Sequence, residues 1–157
     1  MNDEAAIDRL ISVEGRLVNL IGRAKDLPRD RALQALAGLI DEVSLAFYDI
    51  PDGVPADSEP VLEPSDWTDV VAGVRIAYPE LDYYRYVAPT MKMDAEPVVG
   101  SAVDDLCDIL RDLEQIRQRV EVAGVNDAAR YARQRWPSTG AHLTQLRRFL
   151  HYQLFGW

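Results

Sequence analysis

Between Ala102 and Val120, apolar side chains return at helical spacing. Stepped about 100° per residue, Ala102, Val103, Leu106, Ile109, Leu110, Leu113, Ile116 and Val120 share one arc of about 140°. Ser101 precedes this run with Asp104 three residues later, a pairing that resembles a capping box and suits the positive end of a helix. Gly124 predicts the stop.

The same alternation predicts the rest of the chain. Ile7, Leu10, Ile11, Leu17, Val18, Leu20, Ile21 and Ala24 make one face of a helix over Asp3–Lys25. Pro28, Asp26 and Asp30 suit the start of a second helix reaching about Phe47, with Leu33, Leu36, Ala37, Ile40, Val43 and Phe47 on one side. Two helices joined by so short a link predict an antiparallel hairpin. Tyr48–Pro64, with Pro51, Pro55, Pro60 and the Asp52-Gly53 pair, predicts a loop. Ser65 is the expected cap of a third helix, whose Trp67, Val70, Val71, Val74 and Tyr78 share a face. Tyr78, Tyr83, Tyr84 and Tyr86, with Arg85 among them, read as an aromatic group packing a helix end, with base stacking the weaker alternative. Ala88–Val99 reads as a second proline-containing loop. Asn126 is the expected cap of a short helix carrying Tyr131 and Trp136. Pro137 is expected to kink it or separate it from a last helix over Ser138–Leu154, which buries Leu143, Leu146, Phe149, Leu150 and Leu154. The pattern predicts one all-α domain over residues 1–157, a bundle of five or six helices with two proline-containing loops.

Polar residues that break the pattern are the candidates for chemistry. Glu14 points into the middle of its apolar arc, and a carboxylate aimed at a core needs a cation, a donor or a proton. His142 likewise lies inside the last apolar face. Each reads either as a satisfied interior group, paired across helices, or as a catalytic candidate. Asp104, Asp105, Asp108 and Asp112 form a second stripe, with only Asp105 and Asp112 at the edge nearest the core. Such a stripe reads as a solvated acidic face, or, with Asp105, Asp108 and Asp112 as ligands, as a site for a hard divalent cation.

Composition narrows the choices. With 157 residues, 48% hydrophobic and 27% charged, the chain resembles an ordinary globular protein. The net charge of −9 disfavours direct nucleic-acid binding. That charge is uneven: Ala32–Val74 holds acids and no Lys or Arg, whereas Ala128–Trp157 holds five arginines and no acid. The basic end is expected to pack beside the acidic middle, with a dock for an anionic partner as the alternative. No apolar run is long enough to span a membrane, the N-terminus is acidic where a signal peptide is basic, and the single Cys107 has no internal partner. These features fit the cytoplasm. Cys107 is expected to point away from both the acidic stripe and the core centre, with nearby acids raising its pKa. Phosphate-loop, dinucleotide, zinc-protease and nucleophile-elbow motifs are absent.

Four segments then stand in order: YYRYV (83–87), EPVVGSAVDDLCDILRDL (96–113), RQRW (133–136) and GAHLTQLRRFLH (140–151). Together they resemble the bacterial domain-of-unknown-function family number 5063, across the second half well and the first half loosely. The resemblance implies a small helical protein and no reaction. The matching positions are Glu96, Gly100, Asp104, Asp105, Asp108, Arg111, Asp112, Trp136 and His142. Pro137-Ser138-Thr139 departs from the pattern, where the family implies an unbroken helix through the tryptophan.

The reading is a non-catalytic interaction or adaptor module whose partner is another protein. The alternative is a phosphohydrolase of the all-α nucleotide pyrophosphohydrolase type. There Asp105, Asp108 and Asp112 would hold Mg²⁺, and Glu14 or His142 would converge from neighbouring helices.

Overall fold

The computed structural model describes residues 3–50, 54, 59–63, 66–86 and 96–156. Five α-helices are present among them: α1 (Asp3–Arg23), α2 (Arg29–Tyr48), α3 (Trp67–Ala77), α4 (Ala102–Ala123) and α5 (Val125–Phe155). A 3-10 turn over Ala24–Asp26 follows α1. Before α4 lie two short strands, β1 (Tyr83–Tyr86) and β2 (Val98–Ser101), paired antiparallel with Tyr84 opposite Gly100. The architecture is an all-α bundle carrying one small hairpin, as the apolar periodicity predicts apart from the strands.

Ion pairs report the helix directions. Arg9 bonds Asp49 at 2.7 Å and, two turns on, Arg16 bonds Glu42, so α1 and α2 run antiparallel. Arg147 of α5 meets Asp41 of α2, while Trp136 stacks on Phe47 with ring centroids 5.0 Å apart. The basic end of the chain therefore does pack beside the acidic middle at this contact. A single core joins the helices, built on Ile7, Leu10, Leu17, Leu36, Ile40, Phe47, Leu106, Ile109, Leu113, Ile116 and Leu146. In α1 the buried face shifts toward Ala6 and Val13, and Val18, expected inside, is exposed.

Helix ends follow local chemistry. Ser101 caps α4, its hydroxyl accepting the Asp104 N–H at 3.3 Å. Asp66 caps α3 by accepting the Thr68 N–H at 2.9 Å; Ser65, the expected cap, lies outside the described residues, as do Pro51, Asp52, Gly53 and Pro55 of the expected loop. Gly124 ends α4 with φ +90°, a conformation open to glycine and strained for other residues. That one residue also begins α5, its carbonyl accepting the Ala128 N–H at 3.2 Å. Asn126 is thus inside the first turn of α5, and the expected cap there is corrected.

Two further expectations are overturned. α5 runs unbroken for 31 residues with Pro137 inside it, so there is no separate fifth and sixth helix. Proline removes one backbone donor, the one that would reach the Arg133 carbonyl, but α5 packs along its length on α4 and α2, and that packing outweighs a single lost bond. The second loop gives up Val98 and Val99 to β2, which ends on the residue that caps α4. Four-residue strands are marginal alone, and their stability comes from what they pack on.

Candidate functional site

α4 and α5 are joined by one glycine, so they descend side by side with opposite directions. Polar residues on α4 therefore meet polar residues on α5 in reversed order. Nearest the turn, Arg119 donates to Asp127 at 2.6 Å. Two turns away, Asp112 accepts from Arg135 Nε at 2.9 Å, from the Thr139 hydroxyl, and from the Tyr131 hydroxyl at 3.4 Å. At the far end, Asp105 Oδ1 is 2.7 Å from His142 Nδ1. The seam between these helices is a ladder of three polar rungs inside an otherwise apolar contact.

The aspartate stripe is therefore divided. Asp105 and Asp112 are buried, Asp108 is half-buried beside Arg111 at 2.9 Å, and Asp104 is exposed. The expected solvated acidic face holds for Asp104 and fails for Asp105 and Asp112, because α5 supplies their donors. Asp105 also accepts the Tyr84 hydroxyl, tying β1 to the seam. Burial first, then Asp105, push the Tyr84 hydroxyl far above its ordinary pKa, so it stays a donor. Tyr84 reaches Asp105 by lying across Gly100, where an added Cβ would come within 2.5–2.8 Å of the ring. This close approach requires glycine at the position opposite Tyr84.

His142 is half-buried, with Nε2 3.7 Å from Asp108. Its hydrogen bond to Asp105 raises its pKa against the opposing effect of burial, and the charges of Asp105, Asp108 and Asp112 add to the rise. Carboxylates around an imidazole favour its protonated form, so His142 holds its proton to higher pH than a free histidine does. A raised folded-state pKa means that its stabilisation is complete below the unfolded value of 6.5 and is lost as pH rises through the folded value. His142→Gln should accordingly show its largest stability deficit near about pH 5.5, shrinking by about pH 8.5. Urea unfolding of both proteins at the two pH values tests this, and a constant deficit would mean that His142 acts by packing alone.

Glu14 lies elsewhere. It is buried on α1 and pairs with Arg117 Nε at 3.2 Å, the interhelical ion pair anticipated for it. Arg117 sits 12 residues beyond Asp105 on α4, about 18 Å along the axis. Glu14 and His142 therefore do not meet. Burial raises the Glu14 pKa, with Arg117 only partly opposing it. Its charge thus costs more in the folded than in the unfolded chain. Glu14→Gln is expected to change stability at pH 7 by less than about 1 kcal/mol, and a loss above about 2 kcal/mol would show that the ion pair outweighs desolvation.

No shared ligand set arises from Asp105, Asp108, Asp112 and Glu14, since the two buried aspartates are bonded by protein donors and Glu14 is distant. Among the described residues no group of three or more His, Cys, Asp or Glu is disposed to hold a metal ion. Cys107 is buried in the core, contrary to the position expected from the helical wheel. Burial first, then Asp104 and Asp108, push its thiol up to about 11, which leaves it a poor nucleophile.

Beside the His142 end of the seam is a cleft of about 470 Å³ between β1 and the last turns of α5. All four residues of β1 line it, facing Gln145, Arg148, Phe149 and Tyr152. Tyr84 packs on Phe149 at 5.6 Å and on Tyr86 at 5.9 Å, while Tyr83 is 70% exposed. Arg85 and Arg148 make no ion pair or hydrogen bond to any described residue. They differ in this from Arg9, Arg16, Arg111, Arg117, Arg119, Arg135 and Arg147, all of which hold a carboxylate, and share it with the exposed Arg23 and Arg31, which lie outside the cleft. The aromatic group thus packs, as anticipated, but on the side of α5 and as a strand. The Tyr83–Tyr86 and Val98-Val99 runs are β-prone, but runs this short do not specify a strand by themselves.

No family model matches the chain, and no curated protein matches it. Among solved structures it is similar to the crystal structure of protein BF1032 from Bacteroides fragilis, with 15% identity, a TM-score of 0.75, and coverage of 96% of this chain and 92% of that one. That likeness shows the helical fold. No helix of the described residues is long and apolar enough to cross a membrane.

Proposed function

We propose that this protein is a non-catalytic interaction module that docks an acidic segment of another protein in the cleft between β1 and α5. One observation carries the reading: in a chain of net charge −9, Arg85 and Arg148 stand among aromatic rings without a carboxylate from any described residue. Guanidinium groups and tyrosines are the side chains enriched where partners bind, and like charge elsewhere steers an acidic segment to this cleft. The polar seam supports the same reading, since the groups with catalytic potential there, Asp105, Asp112 and His142, are engaged with one another and with α5. Membership in family number 5063 and a cytoplasmic setting belong to this proposal, supported by the order of the four sequence segments and by a lone, buried thiol.

The test is fluorescence anisotropy of labelled polyglutamate against the purified protein. Binding should weaken as salt rises and should fall at least about tenfold in Arg85→Glu/Arg148→Glu. The matched exposed pair Arg23→Glu/Arg31→Glu should bind nearly as the parent does. Equal loss in both variants would reduce the effect to net charge and overturn the reading.

A further inference from the structure

The walls of the cleft include every residue of β1 and none of β2, which places it on the outer side of β1. The Ala102 N–H donates to the Asp82 carbonyl at 3.1 Å, and these residues are opposite each other in the register. Antiparallel pairing then alternates: Tyr84 and Tyr86 direct their backbone groups to β2, and Tyr83 and Arg85 direct theirs outward. Asp82 Oδ1 accepts the Tyr83 N–H at 2.7 Å. The outward Tyr83 carbonyl and the Arg85 N–H and carbonyl have no backbone partner among the described residues.

We infer that the acidic partner docks as an extended strand added to the outer edge of β1, with its carboxylates on Arg85 and Arg148. This deepens the proposed function and rests on it. An edge strand is a template for another chain, and here the cleft of about 470 Å³ lies between that edge and α5. A strand added to four residues spans about 13 Å. Its main-chain bonds go to Tyr83 and Arg85, while alternate side chains reach the arginines on the rim and the rings of Tyr84, Tyr86 and Phe149 on the floor. Exposed Tyr83, Val99, Tyr152 and Phe155 surround the hairpin and the end of α5, a concentration of apolar surface of the kind that marks an interaction site.

The probe is a fluorescein-labelled hexapeptide of alternating glutamate and valine, together with two isomers N-methylated on alternate residues in opposite frames. The parent peptide should bind, with Arg85→Glu/Arg148→Glu weakening it at least about tenfold. One N-methylated isomer should retain affinity and the other should lose about tenfold or more, because only one set of amides faces β1. On binding, the Arg85 amide should gain protection from hydrogen exchange while Tyr84 and Tyr86 keep theirs. Equal binding of both isomers would overturn strand addition while leaving acidic docking in place. Failure of the hexapeptide and of polyglutamate alike would overturn the proposed function itself. Binding of ATP or inorganic phosphate without the peptide would make the cleft a small-anion site. Dimers that exclude the peptide would make the edge a contact between copies of this chain, and either result would overturn the inference.

Discussion

Arg119→Met should cost about 3–5 kcal/mol of folding stability, the range for removing one member of a buried ion pair. Arg119 is 5% exposed and Asp127 is 1% exposed, so the aspartate left behind cannot turn to water. Arg130 Nη2, at 3.6 Å, is too far to replace the lost hydrogen bond. The guanidinium also lies over the Tyr131 ring at 4.4 Å and bonds Glu59, contacts that methionine does not reproduce. The melting temperature should fall by roughly 10 °C or more for a chain of this size. The paired change Arg119→Met/Asp127→Leu should recover most of the loss, since apolar replacement of both partners removes the buried charge that has lost its hydrogen-bonded guanidinium. Urea unfolding of parent, single and double variants measures this. If the double variant is as unstable as the single one, the loss comes from helix-end geometry at Gly124 and not from the Asp127 charge.

The second large effect is expected at the middle rung. Asp112 is 2% exposed and receives Arg135, Thr139 and Tyr131. Asp112→Ala removes the acceptor of Arg135 Nε and of the Thr139 hydroxyl, while the Tyr131 hydroxyl keeps Gln115 Oε1, its nearer acceptor. Arg135 is 43% exposed and can turn to solvent, and Thr139 still donates to the Arg135 carbonyl, so the cost should be about 2–3 kcal/mol. Tyr131 reports the change directly. Its hydroxyl is pushed up to about 12, by burial first and then by the charge of Asp112. Spectroscopic titration should find that value lowered in Asp112→Ala. An unmoved tyrosine titration would show that Asp112 does not set the electrostatics of the rung.

Much of this architecture is legible from single helices. The arc from Ala102 to Ile116 is buried as its phase requires, Ser101 and Gly124 bound α4, and Pro28 precedes α2. The inward aim of Glu14 and His142 is also readable, because a helical angle is a local property. The strands were not legible, since four residues of β-prone sequence become a strand only when Tyr84 can cross Gly100 and reach Asp105. Pro137 misled for a related reason: its missing hydrogen bond is a local loss, but packing on α4 and α2 keeps the helix intact.

What the chain alone determined was the inward row of α4 and α2 and both ends of α4, consequences of about 3.6 residues per turn and of capping chemistry. Which partner each inward polar group would find was decided by tertiary structure. Asp105 and Asp112 lie on the same strip as Asp104, at its edge nearest the core, but the wheel names no donor for either of them. They differ because α5 returns from Gly124 in one particular register, bringing His142, Thr139 and Arg135 to two of them and leaving Asp104 in water. Register across helices depends on residues far apart in sequence, and so do the arginines left over at the cleft.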